Sequence, residues 1–332
     1  MSKLEVLHPH AAGIDIGSRD FFVDAGDDLV QKFPTYTEGC IALKDYLLKR
    51  GCDTVAMEST GVYWVILYAI LEEAGIEVYL VNGRDVKNVP GRKSDVKDCQ
   101  WIRQLHSYGL LKKSFIPSEN IRNLRSYLRL RQDHIRAQST QVHLIQKALT
   151  LMNVRLTEAI SDVMGASGAA MIKAILDGER DTEVLVSYCH TSILNNKREI
   201  VLKALEGSYR EEHLFALRQA YETWHYYQKM IDQCDAALEK QLLETTKEMD
   251  EIDINGKRKP IRYNAPNIKN LPKHLLKLTN GNDPTGIAGI TDYTFLQIVS
   301  EVGTDLSAWK TEKHFVSWLK LAPIKNSSGK TS

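Results

Sequence analysis

Between residues 11 and 107 short apolar runs alternate with amphipathic stretches. Residues 13–17, Gly-Ile-Asp-Ile-Gly, predict a strand with a carboxylate inside it, and residues 21–25 and 29–33 follow after turn residues as an antiparallel meander. A helix over 38–50, a buried strand over 53–57 ending at Glu58, an apolar helix over 62–74 closed by Gly75 and a strand over 76–81 complete the pattern. Strands alternating with helices predict an α/β region with a parallel or mixed sheet.

The pattern then changes period. Ile121, Leu124, Leu128, Ile135, Val142, Ile145, Leu149 and Met152 follow a 3-4 spacing that predicts one long helix over 119–152, with Arg131 and Gln138 interrupting the seam. Residues 209–249 repeat it with Leu214, Leu217, Tyr221, Trp224, Ile231, Leu238, Leu242 and Met249, interrupted at Gln228, Asp235 and Thr245. Such seams predict coiled-coil helices, used either as an antiparallel pair within the chain or as an arm joining a homo-oligomer, dimer or tetramer. Shorter helices are expected over 156–207. The polar stretch 251–284 reads as a linker or insertion. Residues 285–332 regain apolar periodicity, and Gly286-Ile287-Ala288-Gly289-Ile290 resembles the hairpin of a helix-hairpin-helix element. The expected division is therefore 1–110, 111–250, 251–284 and 285–332, the last a small, mostly helical domain.

The 332 residues carry a net charge of only +1, but residues 84–155 hold 15 Lys/Arg against five Asp/Glu. That imbalance predicts one basic surface suited to phosphate backbones. Arg84, Lys87, Arg92 and Lys93, then Arg122, Arg125, Arg129, Arg131 and Arg136 on the first long helix, are the candidate contacts. The five cysteines lie far apart without a CxxC pair, which speaks against zinc and disulfide frameworks and fits a reducing cytoplasm. No apolar run reaches the ~18–20 residues of a membrane span, and no signal peptide opens the chain.

Acidic residues stand where a packed strand disfavours them. Asp15 is flanked by Ile14 and Ile16, Glu58 ends the Val55-Ala56-Met57 run, and Asp95 and Asp98 share one face at a helix start. Carboxylates brought together repel unless a cation neutralises them, and oxygen ligands suit Mg²⁺ or Mn²⁺. Taken singly, Asp95 also reads as a helix N-terminal carboxylate and Glu58 as a surface strand end.

In order, Gly-Ile-Asp-Ile-Gly, Met-Glu-Ser-Thr-Gly-Val-Tyr and Lys-Ser-Asp-Val-Lys-Asp resemble the DEDD transposases of insertion sequences. The resemblance implies a RuvC-like, ribonuclease-H type N-terminal domain in which Asp15, Glu58, Asp95 and Asp98 fill the four acidic positions. Residues 315–323, Phe-Val-Ser-Trp-Leu-Lys-Leu-Ala-Pro, are similar to the start of the family's second transposase segment. By that likeness Ser328 is the DNA nucleophile, with Ser327 its neighbouring rival. It also implies donor and target DNA, a structured guide RNA and a composite site formed between subunits. Relatives continue past this serine into basic helices, so with Ser332 as the last residue a truncated form is expected. Two other enzyme readings stay open: a RuvC-like structure-specific nuclease, which needs the carboxylates and no serine, and an ATP-dependent kinase of the actin-like fold, for which no later Gly-rich nucleotide loop is found. A non-catalytic nucleic-acid scaffold is the remaining alternative.

Overall fold

The structure is a computed structural model that describes residues 5–26, 29–59, 61–83, 95–254 and 256–322, the side chains of 95–97 excepted. It divides into two compact units, Met1–Ile116 and Pro117–Ser332.

The first unit is built on a five-stranded sheet of order β3-β2-β1-β4-β5. Strands β1 (Ala11–Ile16), β2 (Asp20–Asp24) and β3 (Gln31–Pro34) form the expected antiparallel meander. β4 (Thr54–Glu58) and β5 (Glu77–Val81) add in parallel, reached through helices α1 (Thr37–Lys49) and α2 (Trp64–Glu73). The mixed sheet is compatible with a RuvC-like domain. Period-2 alternation decides what each face packs against. Ala12, Ile14, Ile16, Val55 and Met57 share one core with Leu43, Leu47, Leu67 and Leu71 of α1 and α2. On the other face Ala56 and Val81 pack against Ile102 and Leu105 of helix α3 (Asp95–Ser107).

The second unit is organised by two long helices, α4 (Glu119–Leu151) and α9 (Glu211–Thr246). They pack on one another in a single antiparallel register that the seam interruptions reveal. Arg131 donates to Asp235, and Gln138 donates to Gln228 at 3.0 Å. The seam is therefore filled within one chain; a second copy would have to use the outer faces of these helices. At one end Ile145, Ala148 and Leu149 of α4 and Leu217 and Ala220 of α9 share a core with α5 (Leu156–Ala159), α6 (Ala166–Leu176), α7 (Thr182–Ser187) and α8 (Thr191–Leu205). At the other end Ile121, Leu124 and Leu128 meet Leu238 and Leu242 together with α10 (Leu271–Leu278) and α11 (Asp292–Val302). A short helix α12 (Glu312–Trp318) follows. Each fully buried Leu or Ile contributes about 1.5–3 kcal/mol, against a few tenths for a helix-surface pair, so the two cores hold the hairpin.

The stretch 251–284 is not a loose linker throughout. Ile268, Leu271, Leu275 and Leu278 are buried in the second core, because α10 presents an apolar stripe that the polar residues around it mask in sequence. Among the described residues no helix is long and apolar enough to cross a membrane, and the five cysteines are buried and form no disulfide with one another.

Candidate active site

The site grows from strand register. Ile14 on β1 lies opposite Met57 on β4 in the parallel ladder. The next position on each strand carries Asp15 and Glu58, on strands about 4.8 Å apart. Asp15 follows Gly13 by two and Glu58 follows Ala56 by two, so by alternation both belong to the face covered by α3. Both are half-buried.

Three contacts fix the direction of α3. A Cβ on Gly13 would lie 2.2 Å from the Cys99 carbonyl oxygen and 2.4 Å from the Arg103 nitrogen, so only glycine lets the helix approach this closely. Arg103 Nε donates to Asp24 Oδ2 at 2.7 Å, on the β2 residue paired with Gly13. His106 lies 2.9 Å from the Thr54 hydroxyl at the opening of β4. Rising residue numbers along α3 thus run toward the amino ends of β1 and β4. Its first turn, with Asp98 and the backbone of Asp95, lies toward the carboxyl ends, where Asp15 and Glu58 stand. Open α/β sheets place ligand sites at that end.

The electrostatics agree with this placement. Burial pushes the Cys99 thiol up to about 12, and the charges of Asp24 and Asp15 push the same way. The thiol next to Asp98 is therefore protonated at neutral pH, and Asp15 is near enough to act on it. A Cβ on Gly83 would lie 2.1 Å from Glu58 Oε1, so the loop after β5 closes directly on this carboxylate.

Not every expected residue arrives here. The side chain of Asp95, and all of Arg84, Lys87, Arg92, Lys93, Ser327 and Ser328, lie outside the described residues. Among the described residues no three His, Cys, Asp or Glu side chains form a group able to hold a metal ion; Asp15, Glu58 and Asp98 share a strand end without closing into such a cluster. Sequence reasoning missed Asp24, which carries the same signal as Asp15, an acid inside an apolar strand. The difference is tertiary: Asp24 is fully buried and neutralised by Arg103.

The basic helix needs one correction. Arg131 was expected at nucleic acid, yet its side chain is 1% exposed and forms a core ion pair with Asp235. It also donates to the Tyr293 hydroxyl at 3.1 Å and the Ala265 carbonyl at 3.3 Å. Arg125 donates to the Ser300 and Glu301 carbonyls, and Arg129 grips the Glu301 carboxylate through two bonds of 2.8 and 2.7 Å. Both complement the carbonyl-rich C-terminus of α11. Arg122 reaches the Pro117 carbonyl at 3.2 Å, and Arg136 pairs with Asp133 on the surface. In the hairpin 286–290, residues 286–289 are exposed.

Two protein-family models match the chain. Residues 12–154 match a transposase model of the DEDD, IS110 type, and residues 285–332 match the transposase IS116/IS110/IS902 family. The first segment contains Asp15, Glu58, Asp95 and Asp98, and the second contains Ser328. No curated protein matches.

Proposed function

The chain belongs to the IS110 family of DEDD transposases, and from that premise we propose that it cuts and rejoins DNA with a serine nucleophile and a carboxylate-bound divalent cation, guided by a structured RNA. The observation that carries the reading is the shared strand end: Asp15 and Glu58 stand in register on the face of α3, whose first turn supplies Asp98 and begins at Asp95. Brought together, these four acids would supply an all-oxygen donor set of the kind that holds Mg²⁺ or Mn²⁺. When bound, such an ion neutralises charge at a scissile phosphate. Arg103 keeps Asp24 out of the set by pairing with it.

The protein's own steps are few. The Ser328 hydroxyl oxygen bonds to phosphorus as the bond to the departing DNA oxygen breaks, and the serine proton ends on that departing oxygen, which leaves the strand joined to the serine. The reverse exchange, with another DNA oxygen attacking, releases the serine and rejoins the strand. Arg122, Arg129 and Arg136, with Arg84, Lys87, Arg92 and Lys93, contact backbone phosphates and position the nucleic acids. Base pairing with the guide RNA selects donor and target sequences, a division of labour seen in other RNA-guided proteins. The protein works in the cytoplasm as a homo-oligomer.

Two variants test this. Ser328→Ala is expected to bind metal and DNA yet to lose strand joining and the covalent protein–DNA adduct. Asp15→Asn is expected to weaken Mn²⁺ binding in titration. Joining by Ser328→Ala at the wild-type rate refutes the serine, and unchanged Mn²⁺ affinity in Asp15→Asn refutes the carboxylate site. Joining retained by Ser328→Ala would pass the role to Ser327, whereas hydrolysis without joining by wild type and variant alike would leave a nuclease that needs no serine.

A further inference from the structure

A second basic site lies beside α10, and a carboxylate of the same chain fills it. Where α9 ends, a cavity of about 390 Å³ opens against α10, lined by Lys247, Glu251, Asn270, Lys273, His274 and Lys277. Lys273 and Lys277 stand one turn apart on α10, so their ammonium groups point the same way. The Lys277 side chain is only 9% exposed, and burying an ammonium demands an anion. That anion is Glu251, which accepts from Lys277 Nζ at 2.7 Å and also from Lys273. Hydrogen bonds from Lys273 and then Lys277 hold its carboxyl down to about 2.

Glu251 is an unusual partner for a buried lysine. It lies in an irregular stretch after α9, and its side chain is 70% exposed. One largely solvated carboxylate therefore balances two lysines, with a third, Lys247, on the same wall. The floor is fixed by His274, whose Nδ1 lies 2.8 Å from the Thr246 hydroxyl. Glu244 also lines the cavity, but its charge faces Lys240 on α9. A non-esterified phosphate oxygen presents the lysines with the same acceptor chemistry as a carboxylate. Exchanging Glu251 for it would unwind neither helix, since Glu251 belongs to neither α9 nor α10.

We infer that this cleft binds a backbone phosphate of nucleic acid, and that Glu251 occupies the phosphate position until nucleic acid displaces it. The inference rests on the proposed function only in taking nucleic acid as the substrate. It adds a site remote in sequence from the four acids and the serine, and a contact that the free protein holds closed.

The test measures binding of the full chain to a random-sequence DNA duplex and to an RNA duplex of equal length, over a range of salt. Glu251→Gln removes the competing charge at constant size and is expected to bind several-fold tighter than wild type. Lys273→Gln, on the more exposed lysine, is expected to bind more weakly, with the slope of log K against log salt shallower by about one. Inorganic phosphate is expected to raise the Tm of Glu251→Gln more than that of wild type. An effect on one duplex alone supports the site and assigns it to that nucleic acid. Variants that match wild type in affinity and slope overturn the inference, as does weaker binding by Glu251→Gln, which would make Glu251 a structural bracket. If wild type binds neither duplex, the proposed function falls too. If wild type binds and joins DNA while the variants match it, only this inference falls.

Discussion

The buried pair of Arg131 and Asp235 offers a sharp test of how the two long helices find their register. Asp235→Asn removes the charge that compensates a guanidinium with 1% exposure. In the wild type Arg131 Nε donates to Asp235 Oδ1 at 2.5 Å, and Asp235 Oδ2 accepts from the Asn267 amide at 2.9 Å. The Tyr293 hydroxyl and the Ala265 carbonyl take other guanidinium protons, but neither carries charge. Breaking such a pair from one side costs about 3–5 kcal/mol, because the remaining ion is buried and unbalanced. In urea, with a slope of about 2–3 kcal/mol/M for a unit of this size, the midpoint is expected to fall by about 1–2 M. The double variant Arg131→Met, Asp235→Leu removes both ions and is expected to recover most of that loss, since well-packed apolar replacements of buried pairs are often neutral or better. Equilibrium urea unfolding followed by tryptophan fluorescence and circular dichroism measures both, and the double-mutant cycle isolates the coupling. A single variant that loses less than about 1 kcal/mol, or a double variant as unstable as the single, would refute the reasoning.

The same logic explains why the pair is kept where apolar residues would pack. Sliding the helices by one heptad in one direction sets Arg131 against Leu242, and in the other sets Asp235 against Leu124. Each slip leaves an ion against a leucine, so the polar positions select one alignment among several that the leucines alone would allow.

Three further outcomes follow from particular contacts. The double variant Arg131→Met, Asp235→Leu is expected to keep the wild-type slope of log K against log salt for DNA, because Arg131 is buried; a slope shallower by about one would return it to the nucleic-acid surface. Gly13→Ala is expected to displace α3 and abolish strand joining, since its Cβ would sit 2.2 Å from a backbone carbonyl that cannot rotate away; wild-type melting and joining would contradict this. His106 gives a pH dependence. The Thr54 hydroxyl already donates to the Glu77 carbonyl, so His106 Nε2 must donate to Thr54, and its buried Nδ1 has no hydrogen-bond partner among the described residues. Burial, then the neighbouring His8, lowers its pKa to about 4. Below the ordinary value near 6.5 the unfolded chain binds a proton that the folded chain refuses. Stability is thus full above that value and falls as pH drops toward 4, by roughly 3 kcal/mol from this group. His106→Gln is expected to remove that slope between pH 7 and 4, as urea midpoints at each pH would reveal; parallel curves for variant and wild type would contradict it.

Periodicity reports which face of an element is buried, and at that level this chain was legible. The meander, the parallel additions and both long helices follow from alternation and seam spacing over short stretches of chain. Asp15 and Glu58 stand out in the same way, because one lies inside an apolar run and the other ends one. What buries each face is a long-range matter that no local pattern encodes. Asp15 and Asp24 give the same signal in sequence, and only the approach of Arg103, 79 residues away, makes Asp24 structural. Arg131 reads as one basic residue among several until α9 sets Asp235 against it. The leucines of α10 join a core that their polar neighbours conceal. The chain itself dictated where charge and hydrophobicity sit; pairing across sequence distance decided which charges are cancelled inside and which remain for chemistry, because the energy of a buried ion depends on its partner and not on its neighbours along the chain.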